Sequence, residues 1–154
     1  MATNNERKNK LIKWADQALK EQTANENAGI SKILNGNDIV DAYNGSVAAL
    51  GVSIAMGGLR PALAIYYQDK TENGANPKAN RRSVLDVIAR IITKDNECSL
   101  NFSNDNLYAK NLFQHVIDIE NSDTTALQRI KQEVIDCSIA LKQVIRTYNL
   151  KKND

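Results

Sequence analysis

The residues that most often carry out enzyme chemistry are scarce in this chain of 154 residues. It contains one histidine, His115, and two cysteines, Cys98 and Cys137. A zinc site needs a full set of Cys or His ligands, and a di-iron helical bundle needs repeated Glu-x-x-His pairs. No phosphate-binding loop and no GxGxxG, HExxH, CxxC or GxSxG motif occurs. We therefore expect a protein that is not an enzyme and that binds no metal ion or cofactor.

The same three residues have ordinary structural interpretations. His115 precedes Asp118 by about one helical turn, and we expect a polar or half-buried helix residue. Cys137 lies on an apolar seam, where a thiol acts as a small core side chain. Cys98 lies in a polar loop. Neither cysteine has the basic or helix-capping surroundings that activate a thiol.

Charge is distributed unevenly along the chain. The net charge is +2, but the stretch from Asp95 to Asp123 holds six acids and one lysine, so the remainder is basic. The bases form three clusters: Arg7, Lys8, Lys10 and Lys13; Lys78, Arg81 and Arg82, with Arg60 and Arg90 in nearby segments; and Lys142, Arg146, Lys151 and Lys152. Any one cluster is more simply a solvated face, whereas the three together favour nucleic acid modestly.

The middle cluster separates into two kinds of residue. Arg82, Asp86 and Arg90 follow one another at intervals of four, as in an ordinary surface charge ladder. Lys78 and Arg81 have no acid at helical spacing, which makes them better candidates for a phosphate.

The last helix carries two stripes. One is a core seam at alternating spacings of three and four, formed by Leu127, Ile130, Val134, Cys137, Leu141, Val144 and Tyr148. The other is Ile135, Ile139, Lys142 and Arg146, which we call the α6 stripe because the last of six predicted helices, α6, runs from just after Asp123 to about Leu150. Two interpretations stand equally: either the helix is central and buried on two sides, or the stripe contacts another protein or a nucleic-acid backbone.

Apolar spacings of three and four predict helices throughout, and no run alternates as a strand does. We expect one all-α domain over residues 1–154, a compact bundle of about six helices without a sheet. The predicted segments are Glu6–Thr23, Asp38–Met56, Leu59–Gln68, a segment capped by Asn76-Pro77 and ending near Thr93, Asn104–Ile119, and one from just after Asp123 to about Leu150. The predicted core includes Leu50, Ile54, Leu63, Leu85, Ile88 and Leu141.

The second segment belongs to a stretch from Ala42 to Leu59 that has no charged residue. Its length is at the lower edge for a membrane span, but its polar and glycine residues favour a buried core helix. Small residues at Gly45, Ala48, Ala49 and Gly51 suggest close helix–helix contact. The N-terminus lacks the apolar segment of a secretory signal, so we expect a cytoplasmic protein with reduced cysteines and no membrane contact.

The segment Asp41–Gln68 carries a specific pattern: Tyr43 near the start of one helix, then Gly58, Leu59, Ala62, Leu63 and Ala64 at the turn into the next. This pattern resembles the small subunit of the CRISPR type III-B effector, the Cmr complex. The stretch RRSVLDVIARIIT is similar to the next helix of that family. Glu133–Tyr148, in which Leu141-Lys142 is followed by basic residues, resembles its closing helix. The resemblance spans most of residues 1–150 in element order.

The resemblance implies a non-catalytic role in antiviral defence. Members of that family are small helical bundles, and several copies stack in a minor filament beside larger subunits. The groove between the filaments holds guide RNA paired with target RNA, and other subunits cleave the target. The implied partners are other Cmr subunits, further copies of this chain and the RNA duplex, contacted weakly through its backbone.

Together, the charge pattern and the resemblance give candidate site residues. The nucleic-acid candidates are Lys78, Arg81, Arg82, Lys142 and Arg146, and the protein-interface candidates are Ile135 and Ile139. Two other interpretations remain open. A helical protein–protein adaptor without RNA contact would show no salt-sensitive RNA retention, and an enzyme with unrecognised carboxylates would lose turnover when one of them is substituted.

Overall fold

The computed structural model describes residues 4–68, 80–95 and 107–152, the side chains of Asn4 and Glu26 excepted. Over these ranges the chain is a compact helical bundle, which confirms the predicted class and the six helices. The helices are α1 Asn4–Glu21, α2 Ala42–Gly57, α3 Leu59–Gln68, α4 Arg81–Thr93, α5 Tyr108–Ile119 and α6 Thr124–Ile145, with a short 3₁₀ turn at Glu26–Ala28.

The prediction that the fold has no sheet is wrong. Three short strands, β1 Leu34–Asn35, β2 Asp38–Val40 and β3 Asn149–Lys151, form one sheet in the order β1-β2-β3. β1 and β2 are antiparallel and are joined through Gly36, whose φ of 65° suits a tight hairpin turn. β3 pairs with β2 in parallel and ties the chain after α6 to the start of α2.

Helix α4 is the centre of the bundle. It packs against α1, α2, α3, α5 and α6, and all of its residues from Ser83 to Ala89 are buried. The six predicted core residues are each fully buried around it. The core seam of α6 is also confirmed: Ile130, Val134, Cys137, Leu141 and Val144 are buried, while Leu127 and Tyr148 are partly buried against the core.

A polar network fastens the segment after α1 onto α4. The Gln22 amide, 1% exposed, donates to the Ser83 carbonyl at 3.1 Å and to Asp86 Oδ2 at 3.0 Å. Its oxygen accepts from the Ile33 N–H at 2.9 Å, and Ser83 Oγ accepts from the Ser31 N–H at 2.8 Å. Each buried polar group in this network therefore has a partner, as burial requires.

The predicted surface ladder of Arg82, Asp86 and Arg90 is wrong because α4 is central. Asp86 is 2% exposed, and its carboxylate binds Arg90 Nε at 2.9 Å as well as the Gln22 amide. Burial raises the pKa of Asp86, and the nearby Arg90 charge opposes that shift. Arg82 bonds elsewhere, as described below.

The corner between α2 and α3 requires a glycine. Gly58 has a φ of 94°, which L side chains rarely adopt, and its N–H donates to the Ile54 carbonyl at 2.9 Å. Pro61 follows in the first turn of α3, where a missing N–H costs little. The Tyr66 hydroxyl then donates to the Ser46 carbonyl across the corner. The buried side chains after the turn are Leu59, Ala62 and Leu63, all of which belong to the pattern that carries the resemblance.

Two helix starts differ from the prediction. Asp38 lies in β2 rather than capping α2, which begins at Ala42. The cap of α4 is Asn80, whose side chain accepts from the Arg82 N–H at 3.1 Å. The predicted cap Asn76-Pro77 lies outside the described residues, as does the predicted start of the fifth helix at Asn104.

The last helix starts where predicted and ends earlier. The Asp123 side chain caps α6 by accepting from the Ala126 N–H at 2.9 Å. The helix stops at Ile145 because Asn149–Lys151 pairs with β2. No helix among the described residues is long and apolar enough to cross a membrane.

Candidate functional site

The α6 stripe is only partly exposed. Ile139 is 53% exposed and Arg146 is exposed, while Lys142 is half-buried and Ile135 is partly buried against the core. Both interpretations hold in part: α6 packs against α1 and α2 on two sides, and the outer part of the stripe stays open to solvent. Among the described residues, neither Lys142 nor Arg146 makes an ion pair. The stripe therefore presents apolar surface and two uncompensated positive charges along one line.

Helix α2 lies beside the stripe and has no charged residue over its 16 positions. A side-chain carbon at Gly51 would lie 3.7 Å from Ser138 Oγ, the residue just before Ile139. This is the close helix–helix contact expected from small residues, whereas Gly45 faces open space.

The outer side of α2 is apolar. Val52 is 58% exposed and Met56 is 85% exposed. On α3, which packs against α2, Ile65 is 56% exposed. We call Val52, Met56 and Ile65 the uncharged face. Since α2 packs against both α3 and α6, these exposed apolar side chains are candidates for contact with another molecule.

The bases at the start of α4 lie at the same end of the bundle as the end of α6. The Asn80 N–H donates to the Tyr43 hydroxyl at 3.1 Å, which joins the start of α4 to the first turn of α2. The Asp41 N–H donates to the Lys151 carbonyl at 2.8 Å, which joins that turn to β3, just after α6. The topology therefore brings Arg81 and Arg82 to the same end of the bundle as Arg146 and Lys151.

The three bases predicted near the start of α4 have different surroundings. Arg81 is exposed, with its guanidinium 5.4 Å from the centre of the Tyr66 ring. Arg82 is half-buried: Nε donates to the Tyr67 carbonyl at 2.6 Å and Nη1 to the Ala28 carbonyl at 3.0 Å. Its guanidinium also lies 4.5 Å from the centre of the Tyr67 ring. These contacts give Arg82 a structural role, whereas Lys78 lies outside the described residues.

The residues with potential for chemistry have the surroundings expected from sequence. Cys137 is 2% exposed, and burial raises the pKa of its thiol, so it is a core residue as predicted. His115 is half-buried, and burial lowers its pKa despite the nearby Asp118 charge. Cys98 lies outside the described residues. Within the described ranges, no group of three or more His, Cys, Asp or Glu side chains is arranged to hold a metal ion.

Sequence reasoning missed the uncharged face. The absence of charge from Ala42 to Leu59 was visible, but it favoured complete burial. The number of apolar residues could have distinguished a fully buried helix from one with an exposed apolar side. Tyr43, Val47, Leu50 and Ile54, at spacings of four, three and four, already form a complete buried stripe. The remaining apolar residues therefore had to face outward.

No protein-family model, no curated protein and no solved structure matches this chain.

Proposed function

We propose that this chain is a non-catalytic small subunit of a CRISPR type III-B (Cmr) effector complex in antiviral defence. In this role, copies stack in the minor filament and their exposed bases support the binding of guide RNA paired with target RNA. The Cmr assignment comes from the resemblance centred on Tyr43–Ala64. Target cleavage then belongs to other subunits.

One observation from the structure supports this function best. The α6 stripe carries the exposed Ile139 and two bases that make no ion pair among the described residues, and α6 packs against α2, which exposes Val52 and Met56. The exposed side chains of Val52, Met56 and Ile139 are available for contact with another protein, and Lys142 and Arg146 carry charge that no acid among the described residues neutralises. A subunit of a ribonucleoprotein has a use for both features. The apolar residues meet neighbouring proteins, and the bases meet phosphates.

Physical chemistry limits what the RNA contact does. Lys142 and Arg146 can replace counterions around phosphates, and this contribution is independent of sequence. Sequence reading in a guided complex is performed by base pairing, so the protein needs only backbone contacts. We therefore expect the isolated chain to bind RNA weakly and the repeated copies in a filament to bind it together.

The proposed RNA-contact residues are Arg81, Lys142 and Arg146, together with Lys78 from the sequence. We leave Arg82 out of this set because two backbone carbonyls and the Tyr67 ring engage its guanidinium. Arg82→Glu is expected to destabilise the fold, so it cannot report on RNA binding.

The test is charge reversal in a reconstituted complex. We predict that Lys142→Glu with Arg146→Glu weakens retention of target RNA and makes its dependence on salt shallower by about one to two units of slope for each copy. The measurement is target-RNA binding across a salt series, with incorporation of the variant checked by gel filtration. The matched control is Lys10→Glu with Lys13→Glu, two exposed bases on α1.

Two results would contradict the proposal for these residues. If the variant incorporates and the RNA affinity and salt slope stay unchanged, the bases only solvate the helix. If the variant fails to incorporate while the control does, the α6 stripe is a protein–protein contact, as the adaptor interpretation holds.

A further inference from the structure

A groove separates α1 from α6 on the side of the α6 stripe that is away from α2. The two helices run in the same direction, since Arg7 Nη2 donates to Asp136 Oδ2 at 3.2 Å and the Tyr148 hydroxyl donates to Asp16 further along both helices. The groove encloses about 380 Å³. Ligand-binding pockets commonly measure about 300–1,000 Å³, so this groove is large enough to bind a ligand.

The interior of the groove is apolar. Leu11 and Ala140 form its floor and are 7% and 4% exposed, and Ile139 forms one edge with 53% of its surface exposed. Because the floor is already buried, the apolar surface that a ligand covers is mainly that of Ile139, and its burial is favourable at about 25 cal/mol per Å². A nucleic-acid backbone has no side chain that could fill such a groove.

The rim of the groove is positively charged. Lys8 is exposed at the rim, and among the described residues it makes no ion pair. Asp136, the acid that lines the groove, is already paired with Arg7. The charge of the rim that remains unpaired among the described residues is therefore that of Lys8. The lining extends from Gln132 to Gln143, which is about three turns of helix.

We infer that the α1–α6 groove is a docking site for an acidic amphipathic helix of a partner protein. Apolar side chains of the partner, spaced three and four residues apart, fill the groove over Leu11 and against Ile139. Its acidic side chains face Lys8 at the rim. This is the helix-in-groove mode of recognition, in which apolar anchors give affinity and charges set orientation. The inference adds a protein contact to the proposed RNA contact and is tested separately from it.

The test uses the isolated chain and a designed probe. The probe is a stapled helical peptide of 16 residues with leucine at positions i, i+3, i+4 and i+7 and glutamate on the flanks. Its matched partner has lysine in place of every glutamate. We expect fluorescence anisotropy to show at least tenfold tighter binding of the acidic peptide. Ile139→Asp and Lys8→Glu are each expected to weaken that binding at least tenfold.

Two control variants carry the same types of substitution, Ile→Asp and Lys→Glu, at exposed positions outside the groove. Ile117→Asp and Lys110→Glu change exposed residues of α5, and we expect both to bind the acidic peptide like the wild type. Circular dichroism checks that each variant is folded. Lys8→Glu tests the groove a second time by a change that places no charge on an apolar surface.

Several results would overturn the inference. These are no binding of the acidic peptide, equal binding of the acidic and basic peptides, or equal losses in the groove and control variants. Displacement of the peptide by a single-stranded RNA whose own binding depends on Ile139 and Lys8 would assign the groove to RNA. Self-association that Ile139→Asp abolishes would assign it to a second copy.

Discussion

A single buried amide, that of Gln22, holds together two parts of the molecule that are far apart in sequence. It bonds to Ser83 and Asp86 on α4 and to the backbone of Ile33. The position of Gln22 on the buried side of α1 was predictable, since Leu11, Ala15, Ala18 and Gln22 share that side and all are buried. Its partners were not predictable, because they depend on α4 being central.

We predict that Gln22→Ala lowers the free energy of unfolding by about 2–4 kcal/mol. The substitution leaves the buried Ile33 N–H without a partner and removes one of the two bonds to Asp86 Oδ2, the other being that of Arg90. A buried group left unsatisfied costs about 1–3 kcal/mol, and a lost hydrogen bond to a charged group costs a similar amount. Urea denaturation measures the change. Gln114→Ala removes an exposed bond to Asp118 on α5 and should change stability by less than about 0.5 kcal/mol. A similar loss in both variants would contradict the role of the network.

The pairing of Tyr148 with Asp16 makes stability depend on pH at the alkaline end. Partial burial and the bond to the Asp16 carboxylate raise the pKa of Tyr148 to about 12 from its ordinary value of 10.0. Because the pKa of Tyr148 is higher in the folded state than in the unfolded state, the pairing stabilises the fold fully below pH 10. This stabilisation is lost as the pH rises from 10 toward 12.

We predict that Tyr148→Phe removes this alkaline component. The difference in urea midpoint between wild type and variant should be constant below pH 10 and should shrink between pH 10 and 12. Asp16→Asn should lower the pKa of Tyr148, which is measured from the ultraviolet absorbance of tyrosinate. A constant difference over the whole range, or an unchanged titration in Asp16→Asn, would contradict the pairing.

At the scale of elements, the long helices were predictable and the sheet was not. Leu59–Gln68 was predicted to the residue, and Asp123 was correctly placed at the start of α6. Strands of two or three residues show no period, and β3 pairs with a segment more than a hundred residues away in the chain. The Gly36-Asn37 pair in the predicted loop, which forms the two-residue turn between β1 and β2, was the available sign of a hairpin.

The α2–α3 corner gives a prediction at this scale because two adjacent glycines differ in conformation. Gly58→Ala should lower the free energy of unfolding by about 1–3 kcal/mol, since an alanine is strained at a φ of 94°. Gly57→Ala is the control: Gly57 is helical and has open space around it, so alanine should leave stability unchanged or raise it by up to about 1 kcal/mol. Thermal denaturation of both variants measures the two changes in stability. Equal effects would contradict the account of the corner.

At the scale of the whole molecule, the buried seams were predictable and the exposed surface was not. The spacing of apolar residues placed Leu141 and Ile88 in the core, because burial follows the period of a helix. It could not decide whether Ile139 faces solvent, since that depends on where α1 and α2 lie against α6. The function proposed here depends on this outer surface and on the resemblance centred on Tyr43–Ala64.

The most direct test of the central claim is purification of the tagged chain from its own host under mild salt. We predict that it elutes as a large ribonucleoprotein that contains further protein subunits and short guide RNAs. Nuclease treatment should remove the RNA signal, and Lys142→Glu with Arg146→Glu should reduce the target RNA retained by the purified complex. Elution of the chain alone, or with proteins but without RNA, would contradict the proposed function.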